Sequence, residues 1–107
     1  MAEEKAQGER EMKRLILFAV FWQTLNVSAY THSGNPTASG KWPQAYVTCA
    51  ADHLPMGAKI TTPDGRVWVV QDRFGGGYRD RLDLFMPTES ECWQFGRRWL
   101  RCRIEVE

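Results

Sequence analysis

Residues 69–85, VVQDRFGGGYRDRLDLF, decide the fold of this chain. Two short runs rich in Val, Leu and Phe enclose a segment, residues 73–80, whose three consecutive glycines and three charged side chains do not sustain regular structure. The pattern therefore predicts a strand, a flexible Gly-rich loop and a second strand. Asp72 ends the first strand and Asp83 lies in the middle of the second, so two acids frame one loop.

A third acid, Asp52, follows another strand-like run, AYVTCAA (residues 45–51). A carboxylate between β-branched or aromatic neighbours is partly desolvated, which raises its pKa and makes it a proton donor near neutral pH. A single Asp more often caps a turn or pairs with a surface cation. Three acids in this setting, Asp52, Asp72 and Asp83, indicate one site.

Further short strands surround this core pattern. Residues 53–72 predict two strands joined by a Pro63-Asp64-Gly65 turn, and WLRCRIEVE at the end alternates as a closing strand. Thr88 to Glu91 fits a helix capping box with Gly96 as terminator, and residues 31–43 are a loop. Such a chain is mainly β and predicts a closed or nearly closed barrel with one short helix, since closure removes exposed strand edges.

The N-terminal part, residues 1–23, is expected to lie outside the domain formed by residues 24–107. Its apolar run, residues 15–22, is far shorter than the roughly 20 residues that a membrane-spanning helix requires, so no stable membrane span is expected. Read from Met12, residues 12–29 have the basic start, apolar centre and small-residue end of a secretory signal. Alternation of Leu25 and Val27 with polar neighbours equally predicts a first strand, and both interpretations stay open.

Composition excludes several classes of function. With 107 residues the chain forms one small domain, and a formal net charge of +1 provides no general attraction for nucleic acid. The arginines near the end are expected to form a solvated face. Three Cys and two His lack zinc-ligand spacing, so neither a metal nor another cofactor is expected. Cys102 is predicted to be a small buried residue; one disulfide among Cys49, Cys92 and Cys102 is the alternative in an oxidising compartment.

The glycine run 75–77 lacks the Lys-Ser/Thr ending of a phosphate-binding loop. Its missing Cβ atoms favour a permissive turn that a bulky polymer can approach closely.

Four segments together resemble the three-aspartate domain, a bacterial family that includes the catalytic part of membrane-bound lytic transglycosylase A and stationary-phase survival proteins. They are VSAYTHSGNPTASG (27–40), AADHLPMGAKI (50–60), VVQDRFGGG (69–77) and RLDLFMP with FGRR (81–87 and 95–98). The resemblance covers about residues 24–106. It implies a six-stranded double-psi β-barrel that cleaves peptidoglycan glycan strands in the periplasm, or as a secreted bacterial or phage-encoded protein.

By this resemblance Asp83 corresponds to the catalytic acid, while Asp72 and Asp52 shape and support the cleft. The chain departs from the family where Asp-Thr-Gly-Gly becomes Asp72-Arg73-Phe74-Gly75 and where Ile-Lys-Gly becomes Gly77-Tyr78-Arg79. Sugar contacts through stacking, hydroxyl groups and close backbone approach are expected from Tyr30, Thr31, Thr37, Trp42, Gly75 and Gly76.

The expected reaction is that of a lytic transglycosylase, with Asp83 as general acid and then base and a 1,6-anhydro product. One alternative is a hydrolase in which Asp72 activates a water. Another is a non-catalytic, expansin-like polysaccharide-binding module, because a fold alone does not fix a function. Oligomeric state does not follow from the sequence.

Overall fold

A computed structural model of the chain describes residues 18–107. Met12 and most of the expected N-terminal segment lie outside these residues. Within them the chain forms six strands and one helix, which are β1 (Ala19–Tyr30), β2 (Thr48–Ala50), β3 (Lys59–Thr61), β4 (Val67–Asp72), β5 (Arg81–Phe85), α1 (Glu89–Phe95) and β6 (Arg98–Val106).

The six strands form a closed barrel in the order β1-β5-β2-β4-β3-β6. Strand β1 pairs in parallel with β5 and antiparallel with β6, and β2 pairs in parallel with β4 and antiparallel with β5. Because the last strand returns to the first, no strand of the ring is left as an open edge. This confirms the prediction of a mainly β protein, a small closed barrel with a single short helix.

The barrel interior is filled by apolar side chains, which alternate with outward-facing side chains along most of the strands. In β6, Cys102 and Ile104 are fully buried, while Arg101 just before Cys102 is exposed and Arg103 between them is partly exposed, as the sequence alternation predicts. Cys102 is a free thiol inside the core, and Cys49 and Cys92 are also free. The largest fully buried side chains include Trp68, Phe85, Leu25, Ile60, Leu82 and Leu84.

Residues 19–30, which overlap both the expected signal segment and the expected first strand, form strand β1 in the structure. Leu25 and Val27 are 0% exposed, and their backbone pairs with β6 on one side, with Val27 also paired to β5 on the other. The strand alternative is therefore the conformation observed, and it begins at Ala19, inside the segment expected to lie outside the domain.

The helix is bounded by the residues that the sequence indicates. The backbone N–H of Glu91 donates to the Thr88 hydroxyl at 3.2 Å, which is the N-cap half of the predicted capping box, and that hydroxyl donates to the Glu91 carboxylate at 3.2 Å. Gly96 ends the helix with φ +67. Among the described residues, no helix has the length and apolar composition needed to cross a membrane.

We predict that Leu25→Ala lowers the free energy of unfolding by about 2–5 kcal/mol, since it opens a cavity in the centre of the barrel. Urea denaturation measures this loss. Thr24→Ala, one position away on the exposed face, is the matched control and changes the free energy by less than about 1 kcal/mol. Equal effects of the two changes would contradict the inward placement of Leu25.

Candidate active site

The pairing of four strands places two of the three acids in one row on the outside of the barrel. Ser28 of β1 lies opposite Asp83 of β5, and Ala50 of β2 lies opposite Asp83 on one side and Asp72 of β4 on the other. Since adjacent strands are about 4.8 Å apart, the Cα atoms of the two acids are separated by roughly 10 Å. The small side chain of Ala50 lies between them.

A β-bulge puts Asp72 into this row. Thr48 and Cys49 face Val69 and Val70, but the register then shifts, and Ala50 faces Asp72 instead of Gln71. A bulge adds one residue to one strand and so turns the following side chain to the other face. Without it, the strict period of two would align Asp72 with buried Val70.

Asp83 has the environment of a proton donor. It is half-buried, and its Oδ1 accepts a hydrogen bond of 2.9 Å from the Ser28 hydroxyl, which in turn accepts one of 3.2 Å from the Arg81 guanidinium. Burial raises the pKa of Asp83 above its usual value, and the negative charge of Asp72 raises it further. The hydrogen bond from Ser28 and the charges of Arg81 and Arg97 lower this pKa, but they do not outweigh burial. The net raised pKa favours the protonated acid that protonation of a leaving group requires.

Asp72 uses both carboxylate oxygens inside the protein. Oδ1 accepts hydrogen bonds from the backbone N–H groups of Ala38 at 3.0 Å and Arg73 at 2.9 Å. Oδ2 accepts a 2.9 Å hydrogen bond from the Tyr30 hydroxyl. Asp72 therefore ties the long loop after β1 to the end of β4, and it places a carboxylate near Asp83.

Tyr30 is held in place by its ring and its hydroxyl. The ring meets that of Phe85 edge to face, with centroids 5.4 Å apart. Burial, the hydrogen bond to Asp72 and the charges of Asp72 and Asp83 raise the pKa of Tyr30 far above its usual range. The phenol stays neutral and acts as a donor to Asp72, so the structure gives Tyr30 a positioning role rather than a free stacking surface.

Asp52 organises the Gly-rich loop. Its Oδ1 accepts from the N–H groups of Phe74 at 2.8 Å and Gly75 at 3.1 Å, and its Oδ2 accepts from those of Gly76 at 3.0 Å and Tyr78 at 3.2 Å. Desolvation raises the pKa of Asp52, but these four donors outweigh it and lower the pKa below the usual value. The sequence predicted a raised pKa for this carboxyl group, whereas in the structure its pKa is lowered and the group anchors the loop.

Gly75 and Gly76 allow the Gly-rich loop a backbone geometry that other residues would strain. Gly75 has φ +89, where side chains are strained, and a Cβ on Gly76 would lie 2.4 Å from the Tyr78 ring. Their N–H groups point to Asp52, so they are committed to the loop itself. Because these N–H groups are occupied, the expected approach of a polymer to this backbone would use the carbonyl groups.

The residues that depart from the three-aspartate pattern pack against the site. The Arg73 guanidinium donates to the carbonyl oxygens of Ala51 and Leu54, the latter at 2.5 Å. The Arg81 guanidinium lies 5.1 Å from the ring centroid of Phe74 and 5.7 Å from that of Tyr78. Cation–π contacts of this kind hold Arg81 where it reaches Ser28.

Sequence reasoning missed Ser28, Arg81 and Arg97 as partners of Asp83. Ser28 is one of the small residues that also fit a signal cleavage site, and only its position on the polar face of β1 indicated an outward direction. The tertiary fold decides which strand lies beside β1, and the local sequence pattern does not predict it.

The expected sugar-binding residues of the first loop have different environments. Thr37 is buried, and its hydroxyl donates to the Lys41 carbonyl oxygen at 2.7 Å, which stabilises the loop itself. The Thr31 hydroxyl oxygen is buried and makes no hydrogen bond within the described residues. Trp42 is 64% exposed and is free to stack on a ligand.

Other concave regions of the described residues lie apart from the Ser28–Asp72 row. An open cleft is lined by Gln23, Asp52, His53, Gly77 and Arg79, in which burial lowers the pKa of His53. A cavity of about 370 Å³ lies between α1 and the β3–β4 turn, with Trp68, Leu84, Met86 and Phe95 among its walls. Within residues 18–107, no cluster of His, Cys, Asp and Glu side chains has the arrangement of a metal site.

Comparison with known proteins adds no assignment, since no protein-family model and no curated protein matches this sequence.

We predict that Asp52→Asn loosens the Gly-rich loop, because an amide offers one acceptor oxygen and turns its NH₂ group toward backbone donors. Exchange of the amides of residues 74–78 should accelerate roughly tenfold, the factor for losing one charge-assisted hydrogen bond. Hydrogen exchange read by NMR measures it.

Because the pKa of Asp52 is lowered in the fold, its stabilising effect is present above the ordinary Asp pKa of about 3.9 and is lost as the pH falls through the lowered value. The difference in amide exchange rate between Asp52→Asn and the parent protein should therefore shrink as the pH falls. Asp80→Asn removes an exposed carboxylate near the same loop and should leave exchange unchanged. Equal acceleration in both variants would refute the anchoring role of Asp52.

Proposed function

We propose that this protein is a peptidoglycan lytic transglycosylase that cleaves the β-1,4 bond between N-acetylmuramic acid and N-acetylglucosamine. Asp83 is the general acid and base. The chain is then a three-aspartate domain with the double-psi form of the barrel, working in the periplasm or as a secreted protein on the cell wall. The observation that carries the proposal is the half-buried Asp83 with its raised pKa, placed in one row with Ser28 and Asp72.

The proposed reaction needs only one proton carrier. Protonated Asp83 gives its proton to the glycosidic oxygen as the bond to the anomeric carbon of the muramic sugar breaks and positive charge develops on the ring. The resulting Asp83 carboxylate then accepts the proton of the C6 hydroxyl of the same sugar, whose oxygen attacks the anomeric carbon. Asp83 is regenerated as the acid, and the product carries a 1,6-anhydro ring.

The surroundings of Asp83 suit both halves of this cycle. Burial favours the neutral acid before cleavage, while the Ser28 hydroxyl and the charges of Arg81 and Arg97 stabilise the carboxylate that forms afterwards. A donor that is held in place before the reaction needs no reorganisation as charge develops. Asp72, fixed by Tyr30, supplies negative potential toward the cationic sugar.

A hydrolase that uses Asp72 as base is less well supported. Inverting glycosidases hold their carboxyl groups roughly 6.5–9.5 Å apart with a free base beside the attacking water. Here both oxygens of Asp72 already accept hydrogen bonds from Tyr30, Ala38 and Arg73. This occupancy favours the intramolecular attack over water activation.

We predict that Asp83→Asn lowers lytic activity on purified sacculi by roughly 100-fold or more, the usual contribution of a general acid, while binding to sacculi is kept. Zymography and sedimentation with sacculi measure the two properties. Asp80→Asn, an exposed acid close by in sequence, should retain activity.

The stability of the Asp83→Asn variant shows whether a loss of activity comes from misfolding. The raised pKa of Asp83 means that its neutral form is the more stable one in the fold, so stability is highest below the ordinary Asp pKa of about 3.9 and declines as the pH rises through the raised value. Asn keeps the acceptor for Ser28 without a charge. The melting temperature of Asp83→Asn should therefore exceed that of the parent at neutral pH, and the two should converge in acid.

Product analysis distinguishes the candidate functions. Mass spectrometry of digested peptidoglycan shows 1,6-anhydro ends for the transglycosylase and reducing ends for a hydrolase. Binding to sacculi with neither product would indicate the expansin-like module and would end the catalytic proposal.

The pH dependence provides a further prediction. Activity requires protonated Asp83, so kcat/KM should fall as the pH rises through its pKa. Arg97 lowers that pKa through its charge, and Arg97→Gln should therefore move the falling limb to higher pH. Because Arg97 is exposed, raised ionic strength should weaken the effect of the substitution. Arg66→Gln, at the distant β3–β4 turn, is the control; an equal shift there would contradict the local cause.

A further inference from the structure

The outer face of β1 and β6 carries large aromatic side chains that do not contribute to the barrel core. Trp22 is 56% exposed and Trp99 is 62% exposed. Leu25, Val27, Cys102 and Ile104 on the alternate positions are fully buried, so the exposed set follows directly from the period of two in each strand. Exposed aromatic groups clustered on one face are typical of a binding surface.

Cross-strand register brings these side chains onto one continuous surface. Trp22 lies opposite Arg103, Thr24 opposite Arg101 and Asn26 opposite Trp99. We call the outward residues Trp22, Thr24, Asn26, Trp99, Arg101 and Arg103 the β1–β6 surface.

This surface leads to the row that contains Asp83. Asn26 is paired to Trp99 on one side and to Arg81 on the other, and two residues further along β1 Ser28 is paired to Asp83. With a rise of about 3.4 Å per residue, the Trp99 row is roughly 7 Å from the Asp83 row along the strand, and Trp22 is roughly 20 Å from it. An extended polymer bound at Asp83 and lying along β1 would pass Trp99 first and Trp22 later.

The charges of this surface fit a particular polymer. Arg101 is exposed, and Arg97 lies just beyond Trp99 toward Asp83, whereas Arg103 is paired with Glu105. Peptidoglycan combines sugar rings, whose C–H faces pack on indole rings, with stem peptides that carry carboxylates. Guanidinium groups beside aromatic platforms match both features.

We infer that the β1–β6 surface is a binding track for the glycan strand of peptidoglycan, with Trp99 as the platform next to the reacting sugar and Arg101 as a contact for the acidic stem peptide. This inference rests on the proposed function, which identifies peptidoglycan as the polymer. It assigns substrate specificity to residues other than the three acids.

Binding is tested in the Asp83→Asn background, where no strand is cleaved. The probes are soluble glycan strands with stem peptides, the same strands after amidase removal of the peptides, and a short single-stranded DNA. Trp99→Ala should weaken both glycan probes roughly tenfold, and Trp99→Phe should restore part of the affinity. Arg101→Gln should weaken only the strands that carry peptides.

Trp93 provides a matched control, since it is 82% exposed and belongs to α1 rather than to β1 or β6. Trp93→Ala should bind all probes as the background protein does. In the catalytically intact chain, Trp99→Ala should raise KM and leave kcat within about twofold, the mark of lost uniform binding.

Equal affinities of the Trp99→Ala and Trp93→Ala variants would overturn the inference, and so would tighter binding of the DNA than of either glycan. Failure of the proposed function gives a different result. The chain with Asp83 intact would then yield no cleavage product, while the Trp99 dependence of glycan binding would still support the track.

Discussion

The parallel pairing of β1 with β5 is the interaction on which the rest of the site depends. It joins residues 55 positions apart in the chain and sets the Ser28 hydroxyl against the Asp83 carboxylate. The same strand β1 closes the barrel through β6, so the core and the candidate site share one element. A slip of one residue in this register would turn Leu25 and Val27 outward and separate Ser28 from Asp83. Core packing thus fixes the geometry of the polar row.

The three aspartates Asp52, Asp72 and Asp83 have three different environments because their partners differ. Asp52 faces four backbone N–H groups, which hold the charged form and anchor a loop. Asp72 is surrounded by donors from Tyr30, Ala38 and Arg73 and joins two segments. Asp83 is more deeply buried than Asp52 and has one direct hydroxyl donor, so desolvation dominates its pKa. The balance between burial and the number of donors separates a structural carboxylate from a candidate acid.

These acids are connected through the packing of the Gly-rich loop. Asp52 fixes the backbone from Phe74 to Tyr78, the two aromatic rings of that loop lie against the Arg81 guanidinium, and Arg81 donates to Ser28 beside Asp83. A group held by such a sequence of contacts keeps its direction when substrate binds, which is the condition for an effective proton donor. The unfavourable burial of Asp83 is offset by the apolar core beneath it, formed by Leu82 and Leu84 on the alternate positions of the same strand.

The sequence by itself determined the class of fold, the strand on each side of the Gly-rich loop, the capped helix and the closing strand. Each of these depends on local alternation, turn residues or a cap within a few positions. It also placed Asp72 at a strand end and Asp83 within a strand. Only the tertiary structure decided that residues 19–30 form a strand, that Ser28 is the partner of Asp83, and that four backbone N–H groups lower the pKa of Asp52. The physical reason is that strand order, register and the supply of hydrogen-bond donors come from segments far apart in the chain, and local periodicity carries no information about which of them meet.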